Sequence, residues 1–162
     1  MSTVTGYTRR QIVLHWGVAA LILMQYLFKD AIATAWDRLR EGLTAEFHPL
    51  VAAHVAAGLL VLAFAVWRLS LRRRDGVPPI PGDSAAQVML ARATHVGLYL
   101  VMILMPLSGG AAWFGGVQTA AGVHNILKIV LLALVALHVA GALYHQFVLR
   151  DGLIARMRAP RL

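Results

Sequence analysis

The chain has 162 residues, of which 59% are hydrophobic and 14% charged, where soluble chains average about 25% charged. With a mean hydropathy of +0.69, this composition describes a small integral membrane protein organised as one domain over residues 1–162. There is no cysteine, which excludes disulfides, thiolate ligands, iron–sulfur clusters and covalently attached c-type haem. The net charge of +8 comes from arginines that flank apolar runs, as topology determinants do, and does not point to nucleic acid.

The first apolar run, Gln11 to Phe28, follows Arg9 and Arg10 and precedes Lys29 and Asp30. Ala31-Ile-Ala33 resembles a small-residue cleavage site, but the run is long for a signal core and contains His15, so it is expected to be a retained first span. Between residues 31 and 47, Trp36, Leu39 and Leu43 recur at helical spacing among charges, the pattern of a short amphipathic helix on the membrane surface. The second span is expected over residues 48–69, with Pro49 suited to a helix first turn. Arginines and prolines mark residues 71–83 as a short exposed loop.

The third span is expected over residues 88–114, with a kink near Pro106. A loop of sequence GGVQTAAG leads to the fourth, residues 122–149, and a basic, partly interfacial tail follows. Eleven Lys and Arg residues on the side of both termini, against four on the other, place both termini in the cytoplasm of a multi-pass membrane protein. Four spans with short loops give an all-α, up-and-down four-helix bundle.

The fourth span carries His124, His138 and His145. An ionisable group within a spanning helix is costly and marks a functional site. His124 and His138 are fourteen residues apart, about four helical turns, so they leave nearly the same face roughly 21 Å apart along the axis. His15 lies near the inner end of the first span and His54 near the outer end of the second. Depth therefore pairs His15 with His138 and His54 with His124. One discrepancy stands against this: His138 is twelve residues from Arg150 whereas His15 is five from Arg10, so the fourth helix must tilt or project past the hydrocarbon.

Two converging histidines without a carboxylate do not make a structural zinc site, which takes four ligands. Haem needs only two axial ligands. Gly58 follows His54 by four residues, and Gly141 and Ala142 follow His138 by three and four. At those spacings they share the ligand's face and leave room for a flat macrocycle, although ordinary small-residue helix packing uses the same pattern. Arg9, Arg10 and Arg68 stand at the depth of the inner haem's propionates and Lys128 near the outer one; each also suits a plain interfacial anchor.

YTRRQIVLHW opening the first span, VAAHVAAG on the second and H-x13-H-x6-H on the fourth resemble the bacterial cytochrome b561 family over nearly the whole chain. The resemblance implies two b-type haems held by His15, His54, His124 and His138 as axial iron ligands, with none from the third span, so that His95 is a non-ligand.

The stand-alone members of that family imply a superoxide:ubiquinone oxidoreductase, an enzyme oxidising superoxide outside and reducing ubiquinone in the membrane. One alternative is a cytochrome subunit exchanging electrons between quinone and a partner dehydrogenase or periplasmic carrier; another is a non-redox protein whose histidines bind metal ions. Under the first reading Lys128, with Arg38 and Arg40, steers superoxide. His145, seven residues after His138 and so roughly 10 Å further along the same face, contacts the quinone, with Arg10 as a possible second donor.

Overall fold

The structure is a computed structural model that describes residues 5–44, 46–80 and 84–161. The end of the expected 71–83 loop, residues 81–83, and residue 45 of the expected surface helix lie outside the described residues.

Among the described residues the fold is all-helical, with five α-helices: α1 (Arg9–Leu27), α2 (Lys29–Arg40), α3 (Pro49–Asp75), α4 (Ala85–Gly115) and α5 (Gln118–Tyr144). A π-helical turn, His145–Leu149, continues α5, and a 3-10 turn, Ala155–Met157, lies in the tail.

Local chemistry sets the helix starts. Thr8 caps α1 through a reciprocal pair, its Oγ1 accepting from the Gln11 N–H and the Gln11 Oε1 accepting from its own N–H. His48 caps α3 by accepting the Leu50 N–H on Nδ1, with Pro49 pre-set at the first helical position. Ser84 accepts the Gln87 N–H to open α4.

Helices α3, α4 and the α5 unit through Leu149 are long and apolar enough to cross a membrane; α3 and α5, each of 27 residues, reach about 40 Å against a hydrocarbon thickness of about 30 Å. Helices α1 and α2 satisfy the same criteria as a pair, bent by 56°. Large apolar side chains face outward along the bundle, among them Leu23, Val66, Leu100, Ile129 and Leu132. A lipid-facing exterior explains this surface, whereas a water-facing one rarely exposes so large an apolar area.

Three boundaries differ from expectation. Helix α3 runs to Asp75, beyond the expected loop start at Leu71, because Leu71 is buried and arginine is a good helix former; the break comes at Gly76, whose φ is +69°. The amphipathic helix spans Lys29–Arg40, ending ahead of Gly42 with φ +76°. The α4–α5 connection is only Gly116 and Val117: Gly116 adopts φ +66°, a left-handed conformation open to glycine, and reverses the chain at once. Helix α4 continues through Pro106.

α4 packs most extensively on α5, and α3 packs on α1, α2 and α4. The buried core, Val18, Val61, Ala65 and Met102, joins α1, α3 and α4. Along α3 its members Val61 and Ala65 lie between His54 and Arg68, so the apolar plug occupies the middle level of the bundle. The tail folds back: Trp16 Nε1–H donates to the Met157 carbonyl at 2.9 Å and the Arg161 N–H to the Tyr7 carbonyl at 2.9 Å.

Ala65 is fully buried and its neighbour Val66 is 54% exposed. Ala65→Leu is expected to overpack the plug and destabilise the bundle by about 1–3 kcal/mol, whereas Val66→Leu leaves stability unchanged; thermal unfolding of the two variants in detergent checks this.

Candidate functional site

The histidines expected to work together converge in two places. Near the end of the bundle that carries both termini, the rings of His15 on α1 and His138 on α5 are 6.0 Å apart, centre to centre, and tilted by 58°. That gap matches the span of an axis with one metal between two nitrogens, given bonds of about 2 Å and the half-width of each ring. The depth discrepancy is absorbed by the end of α5, which continues past this level; the tail then returns to Trp16, next to His15.

Arg68 on α3 places Nη2 3.2 Å from His15 Nδ1 and its guanidinium carbon 5.8 Å from the centre of the Tyr99 ring. A guanidinium only donates, so a neutral His15 in this arrangement accepts on Nδ1 and carries its proton on Nε2. Ligation of iron through Nε2 therefore requires that proton to move and Arg68 to find another acceptor. A carboxylate at this position is such an acceptor, and Arg68 is the cation beside the ring that suits it.

His95 on α4 is a neighbour that the depth argument did not place. Its ring meets His138 edge-on at 5.2 Å. Its Nδ1–H donates to the Ala91 carbonyl at 2.6 Å, within its own helix.

At the other level, His54 on α3 and His124 on α5 line one cavity of about 270 Å³, together with Gly58, Met105, Gly109 and Lys128. His124 Nδ1–H donates to the Met105 carbonyl at 2.9 Å, which fixes the tautomer that leaves Nε2 free to ligate, as partners of metal-bound histidines do. His54 Nδ1 is buried with no hydrogen-bond partner among the described residues, so the imidazole is only partly satisfied by the protein, a costly state at membrane depth. A Cβ on Gly109 would lie 3.0 Å from His124 Cε1 and Nδ1, so only glycine leaves the ring its place. The Gln25 amide donates to the His54 carbonyl at 2.9 Å, and the Tyr26 hydroxyl donates to the Lys128 carbonyl. These ties fix α1 against α3 and α5 around the opening.

Both places fit b-type haem on the chemistry of their donors: paired imidazoles, an apolar surround, no thiolate and a cation near one edge. Among the described residues no group of three or more His, Asp or Glu side chains is arranged to hold a free metal ion, which weighs against the metal-binding alternative.

The remaining candidates separate. Lys128 lines the cavity that His54 and His124 share, its Nζ 3.2 Å from Asn125 Oδ1. Arg38 pairs with Glu46 at 3.4 Å and Arg40 with Asp37 at 3.7 Å, so each arginine has a carboxylate beside it. Arg9 and Arg10 line a different cavity with Arg74, Asp75 and Arg161.

His145 begins the π-helical turn, and its Nδ1–H donates to Asp151 Oδ2 at 2.5 Å. Partial burial pushes the Asp151 carboxyl up; the hydrogen bonds from His145 and the Leu153 N–H outweigh it and hold the carboxyl below the ordinary range. Asp151 was not visible as a site residue in the sequence. At six positions after His145 it has no helical register to share, and only the turn through Arg150, at φ +55°, and Gly152, at φ +73°, brings it back.

The model of the prokaryotic cytochrome b561 family matches residues 6–159. Cytochrome b562 of Cereibacter sphaeroides is 38% identical over 166 residues, covering 99% of this chain and all of the relative. The probable superoxide oxidase CybB of Yersinia pestis is 27% identical, with 93% and 94% of the two chains covered. Cytochrome b561 homolog 1 of Escherichia coli is 24% identical, with 96% and 98% covered.

Gly109→Val is expected to push the His124 ring aside and lower the haem content per chain. Gly122→Val, whose Cβ meets nothing within 4 Å and which does not line that cavity, keeps the full haem content. In the same assay, pyridine haemochrome absorbance per chain, His95→Ala keeps the full haem content and alanine at His15, His54, His124 or His138 lowers it.

Proposed function

The chain belongs to the prokaryotic cytochrome b561 family, a family of multi-pass membrane electron-transfer proteins with b-type haem, and we propose that this member joins a donor on the outer side of the inner membrane to the quinone pool through two haems. In this reading α1, α3, α4 and α5 are the four spans and both termini are cytoplasmic. His15 and His138 are the axial ligands of the inner haem, and His54 and His124 those of the outer. The observation that carries the reading is the pair of imidazole pairs at two levels of one bundle, separated by the apolar plug around Ala65. When bound, a haem with both axial positions filled by histidine supplies one-electron transfer and disfavours oxygen binding at iron.

The narrower reading is a superoxide:ubiquinone oxidoreductase. Two superoxide anions give up one electron each and leave as dioxygen; one quinone takes two electrons and two protons and leaves as quinol. Lys128 at the outer cavity supplies positive charge that raises the encounter rate of a small anion. The similarity to a probable superoxide oxidase supports this reading. The more similar relative is described only as a cytochrome, a description that fits equally the second reading, a subunit passing electrons between quinone and a separate protein.

At the inner end, His145 is the candidate contact for a quinone carbonyl. Its Nδ1–H is held by Asp151, which fixes the ring's orientation and leaves Nε2 as the atom that faces the quinone carbonyl and relays the proton. Arg10 is not needed for this step.

Stopped-flow mixing of the purified haem-loaded protein with superoxide tests the narrower reading: reduced haem bands are expected, at a rate that falls with added salt and in Lys128→Glu. No reduction by superoxide, with a stoichiometric dehydrogenase copurifying from native membranes, would leave the subunit reading. After a quinone pulse, His145→Ala is expected to reoxidise roughly 100-fold more slowly with its haems intact, and Asp151→Asn to be slowed less; wild-type rates in both would move the quinone site elsewhere.

A further inference from the structure

The cavity that gathers Arg9 and Arg10 has no part in the proposed electron path. It measures about 350 Å³ and is lined by Thr8, Arg9, Arg10, Arg74, Asp75 and Arg161. Four arginines and one aspartate leave it a net charge of +3. Three separate segments build it: the start of α1, the end of α3 and the folded-back tail. Their backbones are tied where they meet, by Gln11 Nε2–H donating to the Gly76 carbonyl at 2.8 Å, the Arg161 N–H to the Tyr7 carbonyl at 2.9 Å and Arg161 Nη2 to the Asp75 carbonyl at 3.3 Å. Gly6 lies so close that a Cβ there would stand 3.3 Å from Arg161 Cβ.

The one carboxylate is already engaged, with Arg74 Nε 2.7 Å from Asp75 Oδ1. The side chains of Arg9 and Arg10 have no hydrogen-bond or ion-pair partner among the described residues. Four like charges held against a single carboxylate repel, so a cavity assembled this way favours an anion. Depth identifies the kind. Gln11 is the first residue of the first apolar run, and Arg74 lies five residues beyond Leu69, about 7 Å along the helix. That is the depth of the headgroup layer, which occupies roughly 5–7 Å on either side of the hydrocarbon.

We propose that this cavity binds the phosphodiester of an anionic phospholipid, with the arginines forking onto the phosphate oxygens and the acyl chains lying along α1 and α3. Guanidinium groups match phosphate in geometry and charge, and basic pockets at membrane-helix ends are suited to anionic lipid heads. A free phosphate shares the chemistry of the head but lacks the acyl chains that the adjacent lipid-facing helices would hold. The proposal does not depend on which face of the membrane the termini occupy.

Native mass spectrometry of the haem-loaded protein in detergent tests it. With phosphatidylglycerol and phosphatidylcholine in equal amounts, one phosphatidylglycerol per chain is expected to stay bound, and millimolar inorganic phosphate is expected not to displace it. The double variant Arg74→Gln/Arg161→Gln should weaken retention about tenfold or more, and Arg9→Glu should do the same by placing a carboxylate in the cavity. The charge-matched Arg73→Gln/Arg158→Gln, at exposed positions away from the cavity, should retain the lipid. Equal loss in the two double variants would reduce the effect to general surface charge and overturn the proposal. So would equal retention of phosphatidylcholine, or displacement by inorganic phosphate. Unchanged haem bands in each variant show that the fold is intact.

Discussion

An imidazole on a membrane-spanning helix must find partners inside the protein, because hydrocarbon offers none. This constraint organises the bundle. His124 meets it on one nitrogen through the Met105 carbonyl and His95 through the Ala91 carbonyl. His15 meets it through Arg68, while His54 Nδ1 has no such partner among the described residues. His54 and His124 line one cavity together, and the rings of His15 and His138 stand 6.0 Å apart. Where α4 packs closely on α5, His95 meets His138 edge-on and His124 bonds the Met105 carbonyl. Where α1 approaches α5, the approach is made by the rings of His15 and His138 and by the Tyr26 hydroxyl. The space between those helices is therefore defined by groups that coordinate or hydrogen-bond.

The middle of the bundle has the opposite character. Val18, Val61, Ala65 and Met102 fill it with close-packed apolar atoms, and interiors of that kind admit no water. Along α5 the two histidine levels are separated by fourteen residues, or roughly 21 Å of axis. A dry, rigid plug between two histidine pairs holds their separation fixed. For a protein whose proposed work is moving electrons, fixing distance and shielding charge are what the polypeptide contributes.

Much of this was legible in the sequence, for reasons that differ by feature. Helical spacing along α5 is a covalent property of the chain, so the faces and levels of His124 and His138 follow from arithmetic once the segment is read as a helix. The extents of α3 and α5 were less legible. Arg72, Arg73 and Arg74 look like a loop on charge alone, yet they continue a helix anchored by buried Leu71. The position of Gly116 as the turn residue could not be chosen from a run that also holds Gly109, Gly110 and Gly115. Contacts across sequence were illegible in principle. Nothing local brings Asp151 to His145, Met157 to Trp16 or Arg161 to Asp75, because each depends on the tail reversing at Arg150 and Gly152. The arginines were readable as a charge asymmetry but not as a cavity, since the cavity exists only where three segments meet.

The central claim is that one chain holds two irons, each between two histidines. Low-temperature electron paramagnetic resonance of the oxidised protein tests it most directly, since iron ligated by two imidazoles is low-spin. Two distinct low-spin ferric signals of equal weight, with no substantial high-spin signal, are the predicted result. A single low-spin signal accounting for all the iron, or a high-spin signal comparable to the low-spin one, would contradict it.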